Sequence, residues 1–415
     1  MDNKYLFEEK FQALIVALLL LSFFLNAFPH VNTIRDTSFY LALCGFLIFS
    51  FKNKIKICFI SPLLAPMVLL VAWAALTTLT AYEVGDSLDS YFSHLIKYLI
   101  LMLVTVNILD TPRKIEWLFA TFVLSTMIFC VGAVIYFYIF QPNPWSTRIG
   151  FPSMAHNIIC FGANLAAIFA FFILRSTPLK WLKIFMFSCL FVFIAQTFLT
   201  QSRGGVLALT FSFVFIFLLE KKYHQILIFL IAVFILLTAS PVKERFLAHE
   251  SASNTHRLGT IHYYIEVFKD HPIMGIGFAI DTFKNEKIYA NKDYFERIPE
   301  KYRNDIFTTL PHSMFLSIIV RMGVVGLAIY LYILSVYFYM GIKVYLNENR
   351  HKHYAVVLMG SMVMFLIGGM FEPVFIHYLD TIFFSLLAMN VVLWWSSPRA
   401  SMRRIKSSWR DAGTL

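Results

Sequence analysis

Charge is what this 415-residue sequence has least of: Asp, Glu, Lys and Arg make up 14% of it, where water-soluble domains carry about a quarter. A chain this poor in charge and 59% hydrophobic cannot hide its apolar matter in one or two soluble cores, because such cores stop growing while their surface still needs polar cover. Cysteine is scarce as well. Cys44, Cys58, Cys130, Cys160 and Cys189 all sit in or at the ends of apolar runs, so no disulfide framework or zinc cluster is legible. The sequence also lacks a His-Glu-x-x-His metal motif, a Walker loop, a dinucleotide glycine pattern and an Asp-x-Asp pair. These gaps disfavour metal-dependent or nucleotide-driven chemistry, and neither a metal nor a cofactor is expected. No internal repeat or low-complexity tract is visible. The first apolar run is not followed by a small-residue cleavage site and is preceded by Asp2, Glu8 and Glu9 as well as lysines. It is expected to be a retained first span and not a signal peptide.

What the chain has instead is apolar length. With 45 phenylalanines and a mean hydropathy of +0.70, it reads as an all-α polytopic membrane protein. About twelve transmembrane helices are expected, at 11–29, 38–51, 57–81, 91–109, 115–140, 157–174, 181–201, 203–219, 224–240, 311–341, 354–371 and 376–396. The run at 38–51 is short for a span, and the break between 181–201 and 203–219 is almost absent. The net charge of +11 does not point to nucleic acid, because the basic residues lie mostly between apolar runs and act as topology signals.

Lys52, Lys54 and Lys56 fall on one side, with Arg113, Lys114, Lys180, Lys183, Lys221, Lys222, Lys343, Arg350 and the tail residues Arg399, Arg403, Arg404 and Lys406. By the positive-inside rule that side is the cytoplasm, and both termini lie there. The loop 82–92 carries Glu83, Asp86 and Asp89 without a base and belongs to the far side. The expected organisation is nine spans in 1–240, one large, partly helical periplasmic loop at 241–310, three spans in 311–396, and a basic cytoplasmic tail at 397–415. The site would then face the periplasm from the inner membrane of a bacterium. Within the loop, Leu258, Ile261, Ile265 and Phe268 follow a helical spacing, with Ser253 and Asn254 as caps and Pro272 beyond, so a helix lying on the membrane surface is expected. Gly275 and Gly277 mark a turn, and 281–305 reads as helical and solvated.

Cations on the outer side break the charge pattern and require a reason. Arg203 stands in Gln201-Ser202-Arg203-Gly204-Gly205, at the junction of two spans. Its planar fork of donors suits a phosphate, and the glycines would let a substrate approach the backbone; snorkelling to lipid headgroups is the competing explanation. Arg257, after His256, begins the loop helix, where a helix start favours anions. Arg148, in another outer loop, shares the ambiguity. His312, after Pro311 where the loop re-enters the membrane, would accept a proton from an attacking hydroxyl if its imidazole is neutral. Glu372 would be near enough to orient it, while His156-Asn157 would line the same cavity or cap a helix. Arg321 lies nine residues beyond His312, about two and a half turns along a helix, and so faces away from it. It is expected to pair structurally with a neighbouring span.

These residues also resemble a known pattern. His312-Ser313, nine residues, then Gly323-Val324-Val325-Gly326 is similar to the H-[NSQ]-x9-G-x-x-[GTY] motif of the O-antigen ligases, and every specified position matches. Arg203-x3-Leu207 resembles the family's R-x3-L motif. Arg257-Leu258 and the run Asp270-His271-Pro272-Ile273-Met274-Gly275-Ile276-Gly277 resemble the start of its large loop. The motifs cover roughly 195–375. The resemblance implies transfer of O-antigen polysaccharide from undecaprenyl diphosphate to the lipid A-core acceptor, with inversion and without a metal or nucleotide. It makes Arg203, Arg257 and His312 the catalytic residues; Arg148, His156 and Glu372 stay candidates for substrate binding on their place at the outer edge alone. O-antigen polymerases and protein O-oligosaccharyltransferases share the superfamily; the short basic tail favours the ligase. A transporter is the remaining alternative, disfavoured because the two halves look unlike and the polar residues gather at the outer edge.

Overall fold

A backbone crossing hydrocarbon has no water to bond to, so runs this apolar can be satisfied only as helix or as a closed barrel. The computed structural model describes residues 3–55, 57–152, 154–240, 243, 252–289, 291–303, 310–347, 351–373 and 376–397. Lys56, Arg350 and the basic tail of the charge pattern lie outside the described residues. Among the described residues there is no strand, only an isolated bridge between Phe151 and Met154.

The apolar helices are α1 (Asn3–Leu25), α2 (Asn32–Lys52), α3 (Leu64–Leu79), α4 (Val84–Ser90), α5 (Lys97–Ile108), α6 (Pro112–Val134), α7 (His156–Ser176), α8 (Lys180–Leu199), α9 (Arg203–Leu219) and α10 (Tyr223–Ala239). A π-helical turn, Tyr91–Ile96, joins α4 to α5, and a second, Ile135–Phe140, prolongs α6. After the long loop come α15 (Met314–Asn347), α16 (Lys352–Gly369) and α17 (His377–Trp395). Eight helices of the described chain are long and apolar enough to cross a membrane, and α3, α9 and α10 are shorter apolar helices beside them. This is an all-α polytopic membrane protein. The run that looked short, 38–51, is lengthened in the structure by Asn32 to Thr37, giving 21 residues.

Three helices form the centre. Every residue of α17 from Leu379 to Leu393 is buried, as are Ile159 to Ala170 of α7 and Ala355 to Met362 of α16. In α10 only Val233 is buried, so that helix hangs on the periphery. Phenylalanines fill the interior, as where the Phe119 and Phe169 rings stack 4.2 Å apart. The missing break between α8 and α9 is a reversal of three residues, in which Gln201 takes φ 49 and the Ser202 hydroxyl caps α9 by accepting from Gly205 N. Helix direction alternates, so Lys52, Arg113, Lys180, Lys221 and Lys222 gather at one end of the bundle and the long loop at the other.

The long loop holds α11 (Ala252–Asp270), a 3-10 turn (Ile280–Lys284) and the short helices α12 (Glu286–Tyr289), α13 (Lys292–Arg297) and α14 (Glu300–Arg303). The sequence reading needs three corrections here. The expected apolar stripe is largely exposed, with Leu258, Ile261 and Ile265 at 46%, 39% and 37%, while Tyr263, Tyr264 and Val267 are buried. They pack with Phe283, Ile288 and Tyr294, so 281–303 folds onto α11 as a second small core and is not simply solvated. Aromatic rings outcompete the aliphatic stripe because each buries more area. Finally, α11 begins at Ala252, which puts Ser253 and Asn254 inside its first turn and Arg257 in its second; the side chains of Ser253 and Asn254 lie outside the described residues.

The loop is threaded into α15. At Gly323 the backbone turns to φ 67, ψ −173, a left-handed conformation that favours glycine. A Cβ there would lie 1.8 Å from Ile273 O. The carbonyls released by the break accept from the loop: Ile276 N to Val320 O, 3.0 Å, and Gly277 N to Arg321 O, 3.1 Å. Trp73 Nε1 bonds Met322 O at 2.8 Å, and Val324 N bonds Pro272 O at 2.9 Å. A broken helix would otherwise bury orphaned polar groups. Arg321, 1% exposed, donates to the carbonyl of Phe278 and lies 5.2 Å over its ring. The charge of Asp380 on α17 also bears on Arg321, while the hydrogen bond and ring contact described here go to the loop.

Candidate active site

Four separate stretches converge at the loop end of the bundle. Arg148 comes from the connection between α6 and α7, Asn157 from the first turn of α7, Ser202 and Arg203 from the α8–α9 reversal, and Phe371 from just beyond α16. With Gly204 and Arg257 of α11 they line one polar crevice of about 270 Å³, counting its opening to solvent. Three of the arginines singled out in the sequence thus share a wall-to-wall site despite separations of 55 and 54 residues along the chain.

Asn157 is the hub. Its Oδ1 accepts from Arg148 Nη2 and from Ser202 Oγ, both at 2.9 Å, and its Nδ2 donates to Glu372 Oε1 at 2.5 Å. Arg148 Nε also donates to Thr200 O at 2.6 Å. One amide therefore fixes the loop arginine, the cap of the α9 helix and a carboxylate on the far wall. Arg203 is the first residue of α9, so the backbone donors of that helix start face the same region. The guanidinium of Arg257 lies 6.0 Å over the Phe371 ring.

The glycines after Arg203 act differently from the sequence reading. A Cβ on Gly204 would meet the Phe371 ring at 2.4 Å, and one on Gly205 would meet Cys160 Sγ at 2.0 Å. They admit neighbouring elements and so close the wall; backbone approach by a substrate is not needed to explain them.

His312 lies in the bend before α15, next to buried Pro311, and keeps an exposed face. Protein crowded about the ring strips part of its hydration, and the charge of Arg257 adds to this; both hold the imidazole below its ordinary pKa. Arg257 is therefore electrostatically linked to His312 as well as to the crevice. Glu372, 7% exposed, has its carboxyl pushed up by burial, opposed by Asn157, Arg257 and Arg148. Its carboxylate is held by Asn157 and not by His312. His156 turns away from the crevice: its Nδ1 meets Ile149 O at 2.5 Å and its ring fills the space beside Gly150. It shapes the Arg148 loop from behind.

Another polar cluster escaped the sequence reading. His94, His377 and Asp380 bring three potential ligand atoms within 4.8 Å of one another, from positions 286 residues apart. His94 Nδ1 bonds Asp380 Oδ2 at 2.7 Å, and the two imidazoles stack at 4.1 Å with 17° between planes. A metal in the plane of one ring would lie well out of the plane of the other, and the charges of Arg321 and Lys97 bear on the same spot. The geometry fits a hydrogen-bonded network between spans.

Comparison with curated proteins finds no match. Residues 187–331 match a protein-family model described as O-antigen ligase, a stretch that contains Arg203, Arg257, His312 and the Gly323 break. Over that stretch the chain is similar to the O-antigen ligase/polymerase-type enzymes, and its apolar helices make it a multi-pass membrane protein.

Proposed function

We propose that the crevice is the active site of an O-antigen ligase that transfers polysaccharide from undecaprenyl diphosphate to the lipid A-core, on the periplasmic side of the inner membrane. The observation that carries the reading is the convergence of Arg148, Arg203 and Arg257 on one polar crevice whose third arginine also acts on His312. A diphosphate leaving group gains charge as its bond to the sugar breaks. Fixed guanidinium donors oppose that charge without reorganising, which is the largest kind of catalytic term. In this reading Arg203 and Arg257 grip the diphosphate, with Arg148 held ready by Asn157 and Thr200.

His312 is the base. Its depressed pKa keeps the imidazole neutral at the pH of the reaction, so it can take the proton of the acceptor hydroxyl. The hydroxyl oxygen then attacks the anomeric carbon, the bond to the diphosphate oxygen breaks on the opposite side, and configuration inverts. Glu372 and His156 serve as supports, the first through Asn157 and the second through the Arg148 loop.

In-vitro ligation with a defined lipid-linked donor and rough lipopolysaccharide, in the presence of chelator, tests this. Product should form with wild type and be absent with His312→Ala at equal protein level. Full activity of that variant would overturn the assignment. Lipopolysaccharide gels of a deletion strain separate the acceptors: loss of all O-antigen indicates ligase, and one retained repeat on the core indicates polymerase.

A further inference from the structure

A second, larger cavity lies at the opposite end of the bundle from the arginine crevice. It measures about 600 Å³ counting its open mouth, and Phe171, Phe172, Ile216 and Val357 form its walls. Its rim is ionic. Arg175 Nη1 and Lys222 Nζ approach Glu220 Oε2 at 2.5 and 3.1 Å, and His353 Nδ1 approaches Oε1 at 3.5 Å. The Arg175 guanidinium also lies 5.2 Å from the Phe171 ring centroid.

We infer that this cavity binds one anionic glycerophospholipid, its phosphate at the Arg175–Lys222–His353 rim and the upper part of its chains against the phenylalanines. Charge comes first. One carboxylate stands among two permanent cations and an imidazole, with Lys221 adjacent in sequence, so the rim keeps a positive excess that a phosphodiester monoanion would neutralise. Glu220, with 9% of its side chain exposed, holds the cations in place without cancelling them.

Depth gives the second argument. Arg175 is one residue from the end of α7, Glu220 directly follows α9, and His353 is the second residue of α16. All three stand where apolar helices emerge, the level at which a phospholipid carries its phosphate. A small soluble anion would make no use of the apolar walls, whereas a zwitterionic lipid would bring its own cation toward the rim.

The same three helices carry the arginine crevice at their other ends, through Asn157 of α7, Arg203 of α9 and Phe371 beyond α16. A lipid seated here would brace the feet of the elements whose heads form the candidate active site. The inference stands without that site's assignment.

The test uses the purified full chain in detergent. Native mass spectrometry follows titration with phosphatidylglycerol, phosphatidylcholine or glycerol phosphate. Expected is one phosphatidylglycerol per chain, with the other two at least about tenfold weaker, ~1.4 kcal/mol. Arg175→Gln removes rim charge and should weaken binding by about the same factor. Since it also breaks the pair with Glu220, Ser176→Trp provides a second variant, filling the mouth while leaving every charge, with its unfolding temperature in lipid-free detergent checked against wild type. Equal binding of the two phospholipids, glycerol phosphate binding as well as the lipid, or undiminished phosphatidylglycerol binding by the Ser176→Trp protein would each overturn the inference.

Discussion

Arg203 and Arg321 are both arginines on apolar helices near the loop end, and the fold treats them in opposite ways. Arg203 heads its helix and lines an open crevice shared with Arg148 and Arg257. Arg321 sits within α15, 1% exposed, against the carbonyl and ring of Phe278. A cation that faces a polar, solvent-reached crevice is available to a ligand. One covered by another chain segment holds that segment instead. The difference arises from the loop 272–279, whose backbone enters the break at Gly323 and covers Arg321 but not Arg203.

Substitutions can break this contrast, and the largest effect is expected at its proposed catalytic pole. His312→Ala and Arg203→Ala should each lower ligation by about a thousandfold while membrane protein levels stay at wild type; a drop in protein level matching the drop in ligation would reduce both residues to structural roles. Next comes the structural pole. Gly323→Ala places a methyl group against Ile273 O and should cost about 3 kcal/mol or more. Arg321→Ala strands a buried carbonyl and should cost ~2–3 kcal/mol. Both should appear as lowered protein levels and faster proteolysis of the long loop, with residual ligation scaling with the protein that remains.

Arg203→Lys sharpens the comparison further. It preserves charge but not the fork, so ligation should fall by roughly tenfold to a hundredfold, whereas a pure charge requirement would leave it near wild type. The smallest effect is a shift in pH profile. In the proposed mechanism neutral His312 is the active form, and its pKa is depressed by desolvation and by Arg257, so ligation should persist below the usual histidine range and fail only as pH drops through the lowered value. Arg257→Gln removes one cause of the depression. Its residual activity should therefore be lost at a higher pH than wild type, and an unchanged acid limb would separate Arg257 from His312.

Much of the membrane architecture was legible because it follows from hydropathy and from the sign of the connecting charges, both one-dimensional quantities. Arg148, Arg203 and Arg257 were legible as anomalies, cations on the side where cations are scarce. The hub role of Asn157 was not, since an asparagine at a helix start is equally a cap and its three partners come from positions 148, 202 and 372. Nor was the exposed stripe on α11: periodicity identifies an apolar face, but only the competition with Tyr263, Tyr264 and the helices of 286–303 decides which face is buried. The glycines of the His312 motif matched letter by letter, yet the physical task of Gly323, admitting a loop backbone into a broken helix, depends on residues about fifty positions upstream.

Composition and the length of the continuous apolar runs therefore settled that this chain spans a membrane as helices, because too few polar groups exist to cover it otherwise and strands would need shorter, alternating runs. Which arginine meets solvent, which histidine turns inward and which helices stand at the centre were settled by packing between distant segments, since burial and local charge are properties of neighbours in space that no stretch of sequence contains.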